Sequence, residues 1–405
     1  MGEHSRRSFL AASGTALAST IIGTHRVTAA DATDRFIVDT QNTSPGALSN
    51  VEIIHDLSQI NIAVVRGTKT DVAGVPAEPD LKLKRGSHSG GAGSAIERDS
   101  DANGPPANVG GGQPQTNDPL FDLQWDKQAQ DIPSVYSRTR GDDTRVAIID
   151  SGILPGHPDL EDSLNHDISA NFTSDDGSFA PVGSDHGTHV AGIVAATAGN
   201  NRGVIGTAPA TELAALRVFS GEYAYLGNIV AAIVHAGEIG ADVANLSLGA
   251  YPVPKGSEAA EKRLEAYTRA AEFANERGTL MVAAAGNDGT NLDTDGDVLS
   301  LPNEIENYMS ISATGPIGYR WGGPGNGHAQ QKRNYHAALN HLEEPTWTPA
   351  FYTNYGDDAV DISAPGGNAD LDALDRIEAA KYDLVLSTTC NSSFEPTYSW
   401  KAGTS

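Results

Sequence analysis

The run Arg145-Val-Ala-Ile-Ile-Asp150-Ser-Gly-Ile153 decides how the chain is read. Val146 to Ile149 is apolar without the alternation of a half-exposed strand. That pattern predicts a strand buried on both faces, as in a parallel sheet. Asp150 then places a carboxylate where the chain leaves the sheet. Beyond this run, strands are expected over 213–219, 243–246, 279–284 and 308–314, and helices over 188–198, 226–239 and 258–277. Strands alternating with helices predict an α/β fold, a parallel β-sheet with helices on both faces. In such sheets function gathers in the loops beyond the carboxyl ends of the strands.

Upstream the pattern changes. Residues 35–39, 51–57 and 60–65 are short runs rich in β-branched side chains and predict a small α+β module over 31–81. Residues 82–116 read as a flexible linker, since Gly90, Gly91, Gly93, Pro105, Pro106 and Gly110 to Gly112 leave little to pack. The main domain is expected over 117–405. At the N-terminus Arg6 and Arg7 precede an apolar stretch from Phe9 to Ile22 and the small residues Thr28-Ala29-Ala30. This reads as a twin-arginine (Tat-type) export signal over 1–30 and predicts a secreted, extracellular protein. The stretch is shorter than the ~20 apolar residues of a membrane span, and no span is expected in the mature form. Residues 315–350 lack any period and are expected to form a surface insertion. His328, His336 and His341 within it match no tight ligand spacing and read as solvated loop histidines.

The 405 residues carry a net charge of -25, which argues against a nucleic-acid partner, because phosphate binding needs clustered Lys and Arg. The acidity is read as a solvated surface or, preferentially, as suited to strong brine, where self-repulsion is screened. Cys390 is the one cysteine, so no intrachain disulfide can form. It lies in a polar run with no base beside it and is not expected to be catalytic.

Three clusters carry chemistry: Asp150 at its strand end, Asp185-His186-Gly-Thr-His189-Val-Ala-Gly192 at the start of a small-residue helix, and Gly403-Thr-Ser405. A serine hydroxyl is a weak nucleophile. It needs a base within hydrogen-bond reach, and the base needs a third group to fix its tautomer. Each residue alone has a plain reading as a helix cap, a packing histidine or a turn. Together, and in the order Asp, His, Ser, the clusters resemble the subtilisin-like serine proteases, or subtilases. With its acidity the chain resembles secreted haloarchaeal-type members.

The resemblance implies a serine endopeptidase that cleaves polypeptides through an acyl-enzyme, with Asp150, His186 and Ser405 as the triad and no cofactor for catalysis. Ala283-Ala-Ala-Gly-Asn287 resembles the family's oxyanion-hole loop, so Asn287 is the expected oxyanion donor. Asn245-Leu-Ser247-Leu248-Gly249 looks like the family's substrate-binding strand. His189 is expected to be structural, and Ser151 part of the local hydrogen-bond scaffold. The module over 31–81 looks like the inhibitory pro-domain of a precursor, a folding helper that partners the catalytic domain, with maturation placed between Gly110 and Asn117. Structural calcium is a further implication. Asp159 with residues 200–204, and the run Asp293 to Asp297, resemble or could form oxygen-rich sites, with an acidic surface turn an equal reading for each. No metal ligands are assigned. In the family the nucleophile begins a buried Met-Ala-x-Pro helix. Since nothing follows Ser405 here, the sequence is expected to be C-terminally truncated, and a chain of this length unstable or inactive. A non-catalytic peptide binder is the competing reading. A dinucleotide-binding protein is set aside, because the loop after Asp150 lacks G-x-G-x-x-G.

Overall fold

The computed structural model describes residues 26–27, 34–84 apart from 42 and 45, 116–175, 177–321 and 339–405. The expected signal apart from 26–27, most of the expected linker, His328 and His336 lie outside the described residues.

Strand β1 (Arg26–Val27) lies within the stretch read as signal. Strands β2 (Arg35–Asp39), β3 (Glu52–Leu57), β4 (Ile62–Arg66) and β5 (Ala77–Pro79) form an antiparallel sheet in the order β3-β4-β2-β5. Strand β4 reads as unbroken apolar because both its faces are covered. Ala63 and Val65 join Phe36, Val38 and Val72 in a small core of the module. Ile62 and Val64 point the other way, into the large core of the rest of the protein.

The expected linker does not begin at Lys82. Lys82–Lys84 is strand β6, paired with β1 on one side and with a strand of the main domain on the other. Leu83 is buried there. Its apolar side chain gives this segment a reason to pack.

The main domain is built on seven parallel strands: β7 (Arg145–Asp150), β8 (Ala170–Asn171), β9 (Glu212–Arg217), β12 (Val243–Leu246), β14 (Leu280–Ala284), β16 (Met309–Thr314) and β17 (Ile362–Pro365). Their order is β17-β16-β14-β12-β7-β9-β8, and β10 (Phe219–Ser220), β11 (Tyr223–Tyr225), β13 (Ala250–Pro254) and β15 (Val298–Leu301) lie outside this sheet. Strand β7 is held between β9 and β12, with Asp150 opposite Arg217 and Ile149 opposite Leu246. Ala147 and Ile149 face one core and Ile148 the other, so the apolar run is buried on both faces as expected. Helix α1 (Trp125–Ala129) precedes the sheet, and α2 (His186–Ala195) covers one face. Helices α3 (Leu226–Glu238) and α4 (Glu258–Asn275) cover the other.

Helix α2 begins two residues before the expected start, because His186 and Gly187 already turn after Asp185. The expected strand 213–219 divides into β9 and β10, the latter folding back on β11. A hairpin that the polar composition of 385–401 had concealed, β18 (Val385–Cys390) with β19 (Pro396–Lys401), runs in register from Val385 opposite Lys401 to Cys390 opposite Pro396.

The first module meets α3 through buried charges. Arg35 pairs with Asp80 at 3.0 Å and donates to Asn228 Oδ1 at 2.7 Å. Asp80 Oδ1 accepts the Gly227 N–H at 2.9 Å, so the module supplies an acceptor to the first turn of α3. A side chain on Gly227 would meet Val64 at 2.8 Å, which explains the glycine.

The expected surface insertion at 315–350 is rooted in the interior. Tyr319 is fully buried, and Ile317 and Arg320 are buried too. Their anchor is Asp383, whose oxygens accept the Tyr319 N–H at 2.7 Å and the Gly318 N–H at 3.2 Å. Burial pushes the Asp383 carboxyl up to about 8. An unfolded Asp titrates near 4, so between about pH 4 and 8 the unfolded chain releases a proton that the folded chain keeps. This group therefore costs stability progressively as pH rises through that window. Asp383→Asn resembles the protonated carboxyl and has no such proton to lose. It is expected to flatten the fall in thermal midpoint between about pH 5 and 8. A slope equal to that of the unsubstituted protein in calorimetry would remove Asp383 as its source.

Candidate active site

Asp150 ends β7 and is buried. His186 opens α2, and its Nδ1 lies 2.8 Å from both Asp150 oxygens. The Ser151 N–H donates to Asp150 Oδ1 at 2.6 Å. Burial pushes the Asp150 carboxyl up, and His186 with these hydrogen bonds more than offsets it, so the carboxyl stays below its ordinary range. A carboxylate can only accept. Nδ1 therefore carries the proton, and Nε2 is left as the basic nitrogen. Nε2 is buried and has no hydrogen-bond partner among the described residues.

Close packing places the imidazole. A side chain on Gly187 would meet Gly152 O at 2.4 Å, and one on Gly192 would meet Thr388 Oγ1 at 2.2 Å and Ser387 Oγ at 2.4 Å. With glycine at 192, α2 lies against β18. Thr388 Oγ1 donates to Thr188 O at 2.7 Å, and Ser387 Oγ to His189 O at 2.8 Å. His189 is packed as expected, with Nε2 3.2 Å from Val385 O, and burial pushes it down to about 3, so it stays neutral. Ser151 Oγ accepts the Gly187 N–H at 3.0 Å, within the scaffold expected of it.

Strand β19 ends at Lys401, and Ala402 to Thr404 carry the chain to Ser405. A cavity of about 190 Å³ is lined by both His186 and Ser405. The two side chains are thus brought to one cavity, but the hydrogen bond from Ser405 to Nε2 is not made. Such bonds are often long before a substrate is bound. Asn287 follows β14 and lies beside the same segment. Its Oδ1 accepts from Thr404 N at 2.9 Å and from Thr404 Oγ1 at 3.0 Å, which fixes the orientation of the amide. Thr404 Oγ1 in turn accepts the Gly286 N–H at 3.1 Å. Thr404 is a contact that the motif reading passed over. Its only signal was its place between Gly403 and Ser405.

Ser247, Leu248 and Gly249 lie past the end of β12. Ser247 Oγ donates to Ser405 O at 2.9 Å, Leu248 is buried in the large core, and a side chain on Gly249 would meet Leu301 O at 3.0 Å. Cys390 is half-buried, and burial pushes its thiol up to about 11, which keeps it protonated and unreactive.

The donor set at Asp159 does not fit calcium. Oδ1 accepts Asn200 Nδ2 at 2.9 Å, while Oδ2 accepts the Val204 N–H at 3.1 Å and Tyr398 OH at 2.9 Å. Hydrogen-bond donors therefore occupy the directions a cation would need. In the other acidic run, Asp293 is taken up by the N–H groups of Asp357 at 2.6 Å and Ala359 at 3.0 Å. Among the described residues no three His, Cys, Asp or Glu side chains are grouped to hold a metal ion. His341 is exposed, as a solvated loop histidine should be.

Two-sided parallel sheet, strand-end carboxylate and helix-start imidazole together define the class. The chain belongs to the Subtilase family, whose family model matches residues 141–405. Thermitase from Thermoactinomyces vulgaris is 34% identical over 203 residues, which are 49% of this chain and 65% of that relative. Halolysin-like extracellular serine protease Nep from Natrialba magadii is 29% identical over 279 residues, 67% of this chain and 42% of the relative. The chain thus spans 65% and 42% of the length of these two relatives. The epidermin leader peptide processing serine protease of Staphylococcus aureus shares the fold at a TM-score of 0.61 and 21% identity, covering 91% of this chain and 84% of that one. No helix among the described residues is long and apolar enough to cross a membrane.

The fit of α2 against β18 is open to test. Gly192→Ala forces a methyl group into Thr388 and is expected to lower stability by about 1–3 kcal/mol, the usual cost of overpacking. Urea unfolding of the two proteins would read it. A midpoint and slope unchanged by the substitution would show that helix and hairpin are not in this contact.

Proposed function

We propose that the chain is a serine endopeptidase, made as a secreted precursor, that hydrolyses peptide bonds of a polypeptide substrate through an acyl-enzyme. One observation carries this reading. His186 Nδ1 is bonded to both oxygens of a buried carboxylate, while Nε2 has no partner among the described residues beside the cavity that Ser405 lines.

In this mechanism Ser405 Oγ attacks the scissile carbonyl carbon as His186 Nε2 takes the hydroxyl proton. Asp150 keeps the imidazole in its tautomer and stabilises the imidazolium. The tetrahedral oxyanion accepts hydrogen bonds from Asn287 Nδ2 and the Ser405 N–H. Thr404, by holding Asn287 Oδ1, keeps the amide turned for this task. Collapse breaks the C–N bond, and the imidazolium proton passes to the leaving amine. Water then attacks the ester, giving its proton to Nε2, and release of the carboxylic acid restores the Ser405 hydroxyl. The substrate backbone is proposed to run as an extended strand beside Ser247, Leu248 and Gly249.

The module ending near residue 81 is proposed as an inhibitory pro-domain. Its support is the run of β6 along β11 with Leu83 opposite Ala224, and the buried Arg35–Asp80 pair against α3. Export by the twin-arginine route rests on Arg6, Arg7 and the apolar stretch after them. No catalytic step needs a cofactor.

The test is treatment of the purified protein with a serine-reactive phosphonylating probe and mapping of the labelled peptide by mass spectrometry. A label on Ser405 that is absent from His186→Ala supports the reading. A folded protein that binds peptide and takes no label would overturn it in favour of a peptide-binding role. In a protein shown by this probe to have a reactive Ser405, and left unlabelled for kinetics, Asn287→Ala is expected to lower kcat by about 10²–10³-fold with KM little changed, the range known for this donor in subtilisin. A larger change in KM than in kcat would place Asn287 in ground-state binding instead.

A further inference from the structure

The loop bearing His186 and the strand leading to Ser405 are joined by a charge pair that the triad does not use. Lys401 Nζ donates to Asp185 Oδ1 at 2.5 Å, and the two side chains are 18% and 28% exposed. Asp185 directly precedes His186, and its carbonyl accepts the His189 N–H at 3.0 Å in the first turn of α2. Lys401 closes β19 opposite Val385, whose carbonyl meets His189. Lys401, His186, His189 and Ser405 all line the same cavity. The ion pair thus spans the gap between the base and the segment that carries the nucleophile.

Its electrostatic setting is specific. The charged and titratable groups around His186 come from three elements: Asp150 on β7, Asp185 and His189 on its own loop and helix, and Lys401 on β19. His189 stays neutral. Asp150 is committed to Nδ1. That leaves Lys401 and Asp185 as a cation and an anion whose effects on the imidazole oppose each other. Burial pushes the Asp185 carboxyl up, and the Lys401 ammonium, with His189 and His186, more than offsets this, so Asp185 is held below its ordinary range. Cys390 on β18 also feels both charges and remains a thiol.

We propose that Lys401 and Asp185 are a positioning pair: the bridge holds the His186 loop against the strand that delivers Ser405 and balances the charge beside the imidazole. This rests on the peptidase reading above. With Lys401 removed, the Asp185 anion stands alone near His186 and favours the imidazolium. With Asp185 neutral, the Lys401 cation disfavours it. The two single variants must therefore move the base in opposite directions.

The experiment measures the rate of Ser405 phosphonylation from acid to alkaline pH for the purified protein and for Lys401→Met, Asp185→Asn, Lys401→Arg and the double variant Asp185→Asn/Lys401→Met. The His186 proton titration is followed by NMR in the same samples, and circular dichroism checks each fold. Lys401→Met is expected to move the acidic limb up, and Asp185→Asn to move it down, each by about half a pH unit to one pH unit. The double variant returns near the starting position, with a lower rate because the bridge is gone, and Lys401→Arg keeps both rate and limb. Limbs that stay put, or that move the same way in both single variants, overturn the proposal. If Lys401→Met does not fold, Asp185→Asn must still move the limb down while Lys401→Arg leaves it in place, and a limb unmoved in Asp185→Asn overturns the proposal. If the unsubstituted protein takes no label yet the His186 titration moves in opposite directions, the pair stands and the peptidase reading falls. If it labels and the titration does not move, the reverse holds.

Discussion

The close contact between α2 and β18 is the constraint on which the site depends. A strand-end carboxylate and a helix-start imidazole belong to different parts of the chain. They meet at 2.8 Å only if the helix lies flat over the end of β7. Gly187 lets the helix approach Gly152 and Asp150, and Gly192 lets it approach Ser387 and Thr388. Interiors are packed as tightly as organic crystals, so an added methyl group has nowhere to go. The small residues of α2 are set by these two approaches, one on each side of the helix. The same hairpin that receives α2 also carries Ala402 to Ser405 onward. One contact therefore sets His186 relative to Asp150 and relative to the segment that carries Ser405.

Much of this was legible in the sequence, for physical reasons. The continuous apolar character of β7 has few explanations other than burial on both faces, and Ala147, Ile148 and Ile149 divide between two cores accordingly. Asp150, His186, Asn287 and Ser405 were singled out because their motifs resemble those of the subtilases; no periodicity marks them. The hairpin β18–β19 was not legible. Its buried side chains Ser387, Thr388, Thr389 and Thr397 are polar: Ser387 and Thr388 hydrogen-bond to carbonyls of α2, and Thr389 and Thr397 to each other. Hydrophobic periodicity cannot reveal a strand that buries hydroxyl groups. The root of the 315–350 segment was missed for a similar reason. Gly318 and Tyr319 are held by a single carboxylate more than sixty positions away in the chain, at Asp383, and no local pattern records so distant a partner. Thr404 looked like a spacer and proves to hold the amide of Asn287.

The buried charges follow one logic. Arg35 with Asp80, Arg217 with Asp175, and Asp150 with His186 are each placed so that hydrogen bonds replace the water they lose. Asp159 obeys the same rule with neutral donors. Three hydrogen bonds from Asn200, Val204 and Tyr398 satisfy it, and a position that resembles a cation site from sequence is closed by its own neighbours. An acidic surface and an economical interior are thus separate matters. Among the described residues most carboxylates are exposed, while buried ones such as Asp80, Asp150 and Asp159 are used as acceptors for specific partners.

The seam between the first module and α3 behaves as a single cooperative catch. Asp80 holds Arg35 with one oxygen and the first turn of α3 with the other, and Arg35 reaches on to Asn228 of that same turn. No member of this set can be rehydrated alone without stranding another in the dry seam. Partial peeling therefore gains nothing until the whole set is wetted, and Leu83, buried a few residues on, must leave together with it. Separation of the two parts is in this sense a threshold event: the seam holds under small perturbations and, past a certain opening, lets go along its full length.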